Sequence, residues 1–279
     1  MAKGKSQVNY LGRAGLISSV DASDTKFLYE VSAIKDAKWN IGDRVDLADG
    51  RKFRYCLSTG QCDTFVGNIF VNSIGTGAGD VGIDWSTLAE SAAVGDNSVV
   101  MTAPSTRAIV EDSLRGGLIV LNISSGTNND TIQQRFIIGN SAAAASGSCT
   151  IYLADPLVTA LTAGTAYGYC MPSPYSAVQG AQIGTYNGVV SFVGYAAAPV
   201  ASSGLYHWEQ TAGQISASLY GSAVGKTQYM REVVFRFDGN LIHRGATGVT
   251  GLEAQTAGYI MDNNNAANGA TVIMLKLEP

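Results

Sequence analysis

The stretch GDRVDLADGRKFRY, residues 42–55, carries the clearest structural signal in the chain. Val45 and Leu47 alternate with charged residues before an Asp-Gly pair, and Phe53 and Tyr55 alternate with charged residues after it. A period of two is typical of strands that bury one face, and Asp-Gly between two such runs is typical of a tight turn because glycine accepts positive φ. The stretch therefore predicts a β-hairpin.

The same strand signal recurs along the rest of the chain. Phe27, Tyr29 and Val31 recur at alternate positions in Lys26–Ile34 and predict a strand, whereas Trp85–Ala93 allows a short helix. Residues 271–277 are apolar on both parities apart from Lys276, which predicts a strand buried on both faces inside a sheet. Further strands are predicted at residues 98–102, 117–123, 133–139, 149–153, 166–171, 189–195, 205–209, 214–219 and 233–237. The pattern predicts an all-β protein of β-sandwich or small β-barrel domains with short helical turns only.

Composition and turn signals divide the chain into segments. A boundary is expected near residues 175–183, because Pro172 and Pro174 cannot donate to a β-ladder. The predicted segments are an N-terminal arm at 1–20, an N-terminal β region with the hairpin at 21–95, a middle β domain at 96–180 and a C-terminal β domain at 181–279.

The low charge of the chain limits the classes of partner. Charged residues make up 14% of the sequence, below the roughly 25% typical of soluble domains, and glycine accounts for 33 of 279 residues. Such a surface loses water at low cost, which favours a protein that covers itself with partners. A net charge of −4 argues against nucleic-acid binding. Residues 1–20 show no secretory signal and no stretch reaches the ~18 apolar residues of a membrane span, so we expect synthesis in the cytoplasm and no membrane partner.

The sequence contains no motif that indicates catalysis or metal binding. Its four cysteines lack CxxC spacing and its only histidines are His207 and His243, so a Cys/His metal site is not expected. Four reduced thiols are expected, with a Cys56–Cys62 bridge as the alternative. We therefore predict no enzyme activity, no catalytic residue, no cofactor and no metal.

Two groups of residues are candidates for binding. The aromatic residues Phe192, Tyr195, Tyr206 and Trp208 predict either a sheet core or, as the alternative, a platform for sugars. The N-terminal arm combines basic and apolar side chains and gains order only on a neighbour, so it is predicted to dock on a partner. Its candidate partner-binding residues are Lys3, Lys5, Tyr10, Leu11 and Arg13.

Two longer stretches resemble structural proteins of tailed-phage virions, of the capsid decoration or head-associated type. The first comprises residues 115–122, 134–140 and 150–161 and ends at Pro174-Tyr175. The second carries Gly204, Tyr206, Trp208, Gln210 and Gly213 in a G-x-Y-x-W-x-Q-x-x-G pattern and closes at residues 258–262. The hairpin at residues 47–55 is similar to the N-terminal part of such proteins.

The resemblance implies a virion component without catalytic residues. Its leading form is a capsid decoration protein that stabilises the shell by binding in many copies, so that modest affinity per copy suffices. The implied partners are the major capsid protein or other virion proteins and further copies of the chain as a homo-oligomer, with a trimer favoured. The alternatives are a tail, fibre or head-fibre adhesin for host surface glycans and a polysaccharide-degrading enzyme, which would need two carboxylates in one groove.

Overall fold

The structure is a computed structural model that describes residues 17–20, 25–71, 82–122, 132–181, 191–220, 231–244, 255–262 and 270–278. In these ranges a single short 3-10 helix, Lys26–Tyr29, accompanies the β-strands. In chain order the strands are β1 (Ile17–Val20), β2 (Arg44–Leu47), β3 (Lys52–Leu57), β4 (Asn68–Phe70), β5 (Ile83–Thr87), β6 (Ser98–Thr102), β7 (Leu118–Asn122), β8 (Ile132–Asn140), β9 (Ser148–Leu153), β10 (Tyr167–Met171), β11 (Val178–Gly180), β12 (Ser191–Ala196), β13 (Tyr206–Ser218), β14 (Glu232–Phe235), β15 (Leu241–His243), β16 (Thr256–Asp262) and β17 (Ala270–Lys276). The all-β prediction is confirmed.

The strands belong to two compact units. The first contains the described parts of residues 17–71 and 177–278, and the second those of residues 82–176. In the first unit a half-barrel sheet has the order β1-β2-β3-β13-β17-β16-β14-β15, with β4, β11 and β12 attached to it. The long strand β13 is central, because it pairs with β3 along one edge and with β12 and β17 along the other.

The predicted hairpin is confirmed as β2 and β3. The two strands are antiparallel with Val45 opposite Phe53, and Gly50 in the turn has φ +86°. Alternate residues of the hairpin are buried and pack with Trp208 of β13. Burial of one face is what the period of two in the sequence predicted.

The strand predicted at Lys26–Ile34 is wrong. Residues 26–29 form the 3-10 helix instead, with the Leu28 N–H donating to the Thr25 carbonyl over 3.0 Å. The tight turn buries Leu28 and stacks the Phe27 ring on Trp39 at 5.7 Å between centroids. Tertiary packing of these two side chains therefore overrides the local alternation.

In the second unit, six strands form a nearly closed barrel with the order β5-β10-β7-β8-β9-β6. A bridge between Leu88 and Met101 joins the two end strands of the sheet. The short helix allowed at Trp85–Ala93 is absent from this described segment. The segment begins in β5, and after β5 Leu88 forms a β-bridge with Met101 and Ala92 forms one with Leu161. Those long-range pairings satisfy backbone groups that a helix would have satisfied locally.

The C-terminal strands differ from the prediction in two respects. The strands predicted at 205–209 and 214–219 are one strand, β13, in which Gly213 takes φ +94° beside a register shift between Gln210 and Ala212. Strand β17 does lie inside the sheet, between β13 and β16, as predicted. It is not buried on both faces, because Val272 is 37% exposed.

Sheet pairing also groups the chain differently from the predicted segments. Residues of the predicted N-terminal region, in β3, pair with the predicted C-terminal domain, in β13. Residues 82–95 belong instead to the second unit, where β5 pairs with β10. Such long-range pairing cannot be read from changes in composition along the chain, because a strand can pair with a partner that is far away in the sequence.

A matched pair of glycine substitutions separates backbone strain from steric contact. Gly50 and Gly213 both have positive φ, but a Cβ on Gly50 would meet nothing within 4 Å, whereas one on Gly213 would lie 2.8 Å from the Cα of Arg51. Gly50→Ala is expected to cost about 1 kcal/mol of unfolding free energy, and Gly213→Ala about 2 kcal/mol or more. Chemical denaturation followed by circular dichroism measures both, and equal losses would contradict the steric argument.

Candidate functional site

The outward side of the six-stranded sheet in the second unit is apolar. On β7, β8, β9 and β10 alternate residues are fully buried, and the residues between them are more exposed. We define the outer face by the larger apolar members of this second set, together with one glutamine. They are Leu118, Val120, Ile132, Gln134, Phe136, Ile138, Tyr152, Tyr169 and Met171. None of the described positions that these four strands present on this side carries a charge.

Strand register makes the outer face continuous. Leu118 lies opposite Phe136 on one neighbouring strand and opposite Met171 on the other, which gives an apolar row across three strands. Val120 lies in the same way between Gln134 and Tyr169. Directly opposed side chains in a sheet are close enough to pack, so the rows form one surface and are not scattered apolar residues.

Several residues of the outer face are unusually exposed for apolar side chains in a sheet. Phe136 is 47% exposed, Tyr152 44%, Ile138 43% and Ile132 42%. The face borders a groove of about 480 Å³ that Leu118, Phe136, Met171 and Pro172 line, with Arg135 and Asp155 among its polar residues. Contiguous apolar surface with a polar rim is typical of protein-binding sites.

The sequence contains a signal for this face that the strand pattern hides. Residues 132–138 of β8 read Ile-Gln-Gln-Arg-Phe-Ile-Ile, so apolar residues occur on both parities. Ile137 supplies the barrel core, while Phe136 and Ile138 remain exposed. A strand that is apolar on both parities in an antiparallel sheet indicates either a second covering layer within the chain or a partner.

The candidate residues from the sequence have different outcomes. Lys3, Lys5, Tyr10, Leu11 and Arg13 lie outside the described residues, so the docking arm stays a prediction. The aromatic group is a sheet core, because Tyr195, Trp208 and Phe192 are buried. The alternative of a sugar platform at these three side chains is wrong.

The first unit contains a buried polar cluster that sequence reasoning missed. Its members are Cys62, Asn68, His207 and Glu209. Nε2 of His207 lies 2.8 Å from Oε1 of Glu209, and the Asn68 amide donates to both carboxylate oxygens over 3.0 and 3.1 Å. His207 and Glu209 are two residues apart on β13 and therefore point to the same side of the sheet. This i, i+2 spacing on a predicted strand was the available signal.

Burial dominates the electrostatics of the cluster. It raises the pKa of Glu209 above its ordinary value, while the hydrogen bonds and charge of His207 and the hydrogen bond from Asn68 oppose the rise. Burial, reinforced by the charge of Glu209, strongly raises the pKa of the Cys62 thiol. A thiol in such surroundings is a poor nucleophile unless a cation stabilises its thiolate.

All four cysteines are free and buried. Cys56 lies opposite His207 in the β3–β13 pairing, and its pKa is raised by burial and then by the charge of Glu209. Cys149 and Cys170 belong to the core of the second unit. The structure thus contains no Cys56–Cys62 bridge, which was the alternative left open by the sequence.

The comparisons with known proteins return no relatives. No protein-family model, no curated protein and no solved structure matches the chain. Across the residues that the structure describes, no helix has the length and apolar character needed to cross a membrane.

Proposed function

We propose that this chain is a non-enzymatic structural protein that binds a larger assembly through the outer face of its second unit. The assembly proposed is a phage virion, with the chain acting as a capsid decoration protein. The observation that supports the proposal is the continuous, uncharged outer face, on which Phe136 is the most exposed of the large apolar side chains. A large apolar surface open to water is costly for a monomer and is commonly covered by a partner.

The composition of the outer face suits stable docking. None of the side chains that define the outer face is ionised, so burying them avoids the desolvation cost that charges impose. Its aromatic and methionine side chains are of the kinds enriched at the centres of interfaces. The proposed partners are the major capsid protein or another virion protein, together with further copies of the chain.

The mechanism proposed is stabilisation by added contact area. Each bound copy would add contacts that the shell must break before it opens, and many copies act together. The low charged fraction, 14%, fits a protein whose surface is covered in its working state. The adhesin alternative would instead need an exposed aromatic platform, and three of the four aromatic residues that the sequence offered for one, Phe192, Tyr195 and Trp208, are buried.

Substituting Phe136 by lysine tests the proposal. The side chain is half exposed, so Phe136→Lys is expected to cost about 1 kcal/mol or less of stability. A charge buried in the proposed interface should weaken binding at least about tenfold, which corresponds to about 1.4 kcal/mol. The chain is coexpressed with the proteins encoded beside its gene, particles are sedimented, and the bound chain is quantified.

Val158→Lys is the matched control for this experiment. Val158 belongs to the same unit and is 69% exposed, but it lies outside the six strands. Its substitution should leave incorporation unchanged. The proposal is wrong if the unsubstituted chain stays in the supernatant, or if both lysine variants load onto particles equally well.

A further inference from the structure

We propose that Cys62, His207 and Glu209 form a structural site for a divalent transition metal of the zinc class. The Sγ, imidazole and carboxylate ligand atoms all lie within 4.8 Å of one another, and all three residues are buried. Sulfur, nitrogen and oxygen donors in one small space are the ligands that Zn²⁺ takes in proteins. The inference is independent of the proposed function, because it concerns the other unit of the chain.

The three ligands come from two segments that folding brings together. His207 and Glu209 lie on the same side of the central strand β13. Cys62 follows β3, and its own N–H donates to the Val200 carbonyl over 3.0 Å. A metal ion would therefore connect the segment after β3 with the centre of the half-barrel sheet.

A second layer of hydrogen bonds orients two of the ligands. Nδ1 of His207 lies 3.4 Å from the Leu205 carbonyl, which leaves Nε2 directed at Glu209. The Asn68 side chain holds the Glu209 carboxylate and is itself fixed by the backbone of Asp63. The Asn68 Nδ2 donates to the Asp63 carbonyl, and the Asp63 N–H donates to the Asn68 Oδ1, both over 2.8 Å. Metal-binding histidines and carboxylates typically have partners of this kind, which set their direction and strengthen binding.

The thiol is the ligand whose present contacts are weakest. Sγ of Cys62 lies 3.6 Å from the Val178 carbonyl and 3.9 Å from the Gly60 carbonyl, and a thiol is only a weak donor to these oxygens. A carboxylate, an imidazole and a thiol together in the interior are costly to desolvate, and a divalent cation would offset that cost with three strong bonds. The cation would be bound by the thiolate, the neutral imidazole and the carboxylate.

Three protein ligands leave one position of a tetrahedral ion open, but the burial of all three indicates a structural ion and not a catalytic one. Cys62 is 5% exposed, His207 1% and Glu209 0%, so the described structure gives substrate no access to these atoms. Metal would enter as the unit folds, and its binding energy would contribute to the folding free energy. The chain should therefore retain the ion through purification and release it on unfolding with a chelator.

The test uses the full chain in two steps. Elemental analysis of natively purified protein should give about one equivalent of transition metal. The chain is then unfolded in guanidinium with a chelator and refolded with one equivalent of Co²⁺, which should produce a thiolate-to-cobalt charge-transfer band that added Zn²⁺ abolishes. Absence of stoichiometric metal in native protein together with absence of the band after refolding would overturn the proposal.

Cysteine variants assign the sulfur ligand. Cys62→Ser should abolish the charge-transfer band and weaken Co²⁺ binding at least about tenfold. Cys149→Ser, which changes a buried free thiol in the other unit, should keep the band at full intensity. Loss of the band in Cys149→Ser and its retention in Cys62→Ser would exclude the site. The unsubstituted chain alone can refute the proposal, so the test does not require that the Cys62 variant folds.

Discussion

Trp208→Ala is expected to lower the unfolding free energy of the first unit by about 3–5 kcal/mol, the range for removing a large aromatic side chain from a core. Trp208 is 2% exposed and lies on the central strand β13. Its ring contacts Trp39, Tyr55 and Phe27 with centroid distances of 4.9, 5.1 and 5.5 Å. These four rings join the hairpin and the 3-10 helix to the sheet, and no smaller side chain can maintain all three contacts.

The measurement is guanidinium unfolding followed by far-ultraviolet circular dichroism. Phe237→Ala is the control, because Phe237 is 57% exposed and lies in the same unit. Its removal should cost about 1 kcal/mol or less, since surface substitutions rarely cost more. Similar losses in the two variants would show that the aromatic cluster does not contribute most of the unit's stability.

Asn140→Ala is expected to destabilise the second unit by about 2–3 kcal/mol, because it leaves the buried Leu114 N–H without its hydrogen-bond partner and removes two further bonds to backbone carbonyls. Asn140 is 1% exposed and ends β8. Its side-chain oxygen accepts from the Leu114 N–H over 2.8 Å, and its amide donates to the Val110 and Ser141 carbonyls over 2.9 and 3.0 Å. One side chain thus attaches the segment around residues 110–114 to the barrel.

Hydrogen exchange resolves this effect by position. Peptides that cover residues 109–116 should lose protection in Asn140→Ala and should be unchanged in Trp208→Ala, since the two residues belong to different units. Asn97→Ala is the control, because Asn97 is exposed and its backbone carbonyl, which accepts from the Leu153 N–H, is retained. Unchanged protection of residues 109–116 in the Asn140 variant would contradict the assigned role.

The outer face and the buried cluster illustrate different limits of sequence reasoning. For the outer face, β8 has apolar side chains at both even and odd positions, but the sequence does not say which of the two sets faces the core. The barrel decides it, because Ile137 fills the interior while Phe136 faces solvent. A one-residue shift of register would exchange these two faces.

For the buried cluster, the linear spacing of its members gave no sign that folding brings them together. Cys62 and His207 are 145 positions apart in the sequence, and neither lies in a short metal-binding motif. The expectation of no Cys/His site rested on that spacing. Pairing of β3 with β13 removes the separation, since it aligns Cys56 with His207 and carries the segment after β3 past the same side of the sheet.

The sequence by itself determined the local elements whose signals are complete within a few residues. The Asp-Gly turn with its flanking alternation specified the hairpin, and the recurring short apolar runs specified an all-β chain. Only the tertiary structure decided that Phe27 and Leu28 enter a 3-10 helix, that β3 pairs with β13, and that Cys62 meets Glu209. The physical reason is that strands satisfy their backbone groups through distant partners, so the choice of partner depends on global packing and not on local propensity.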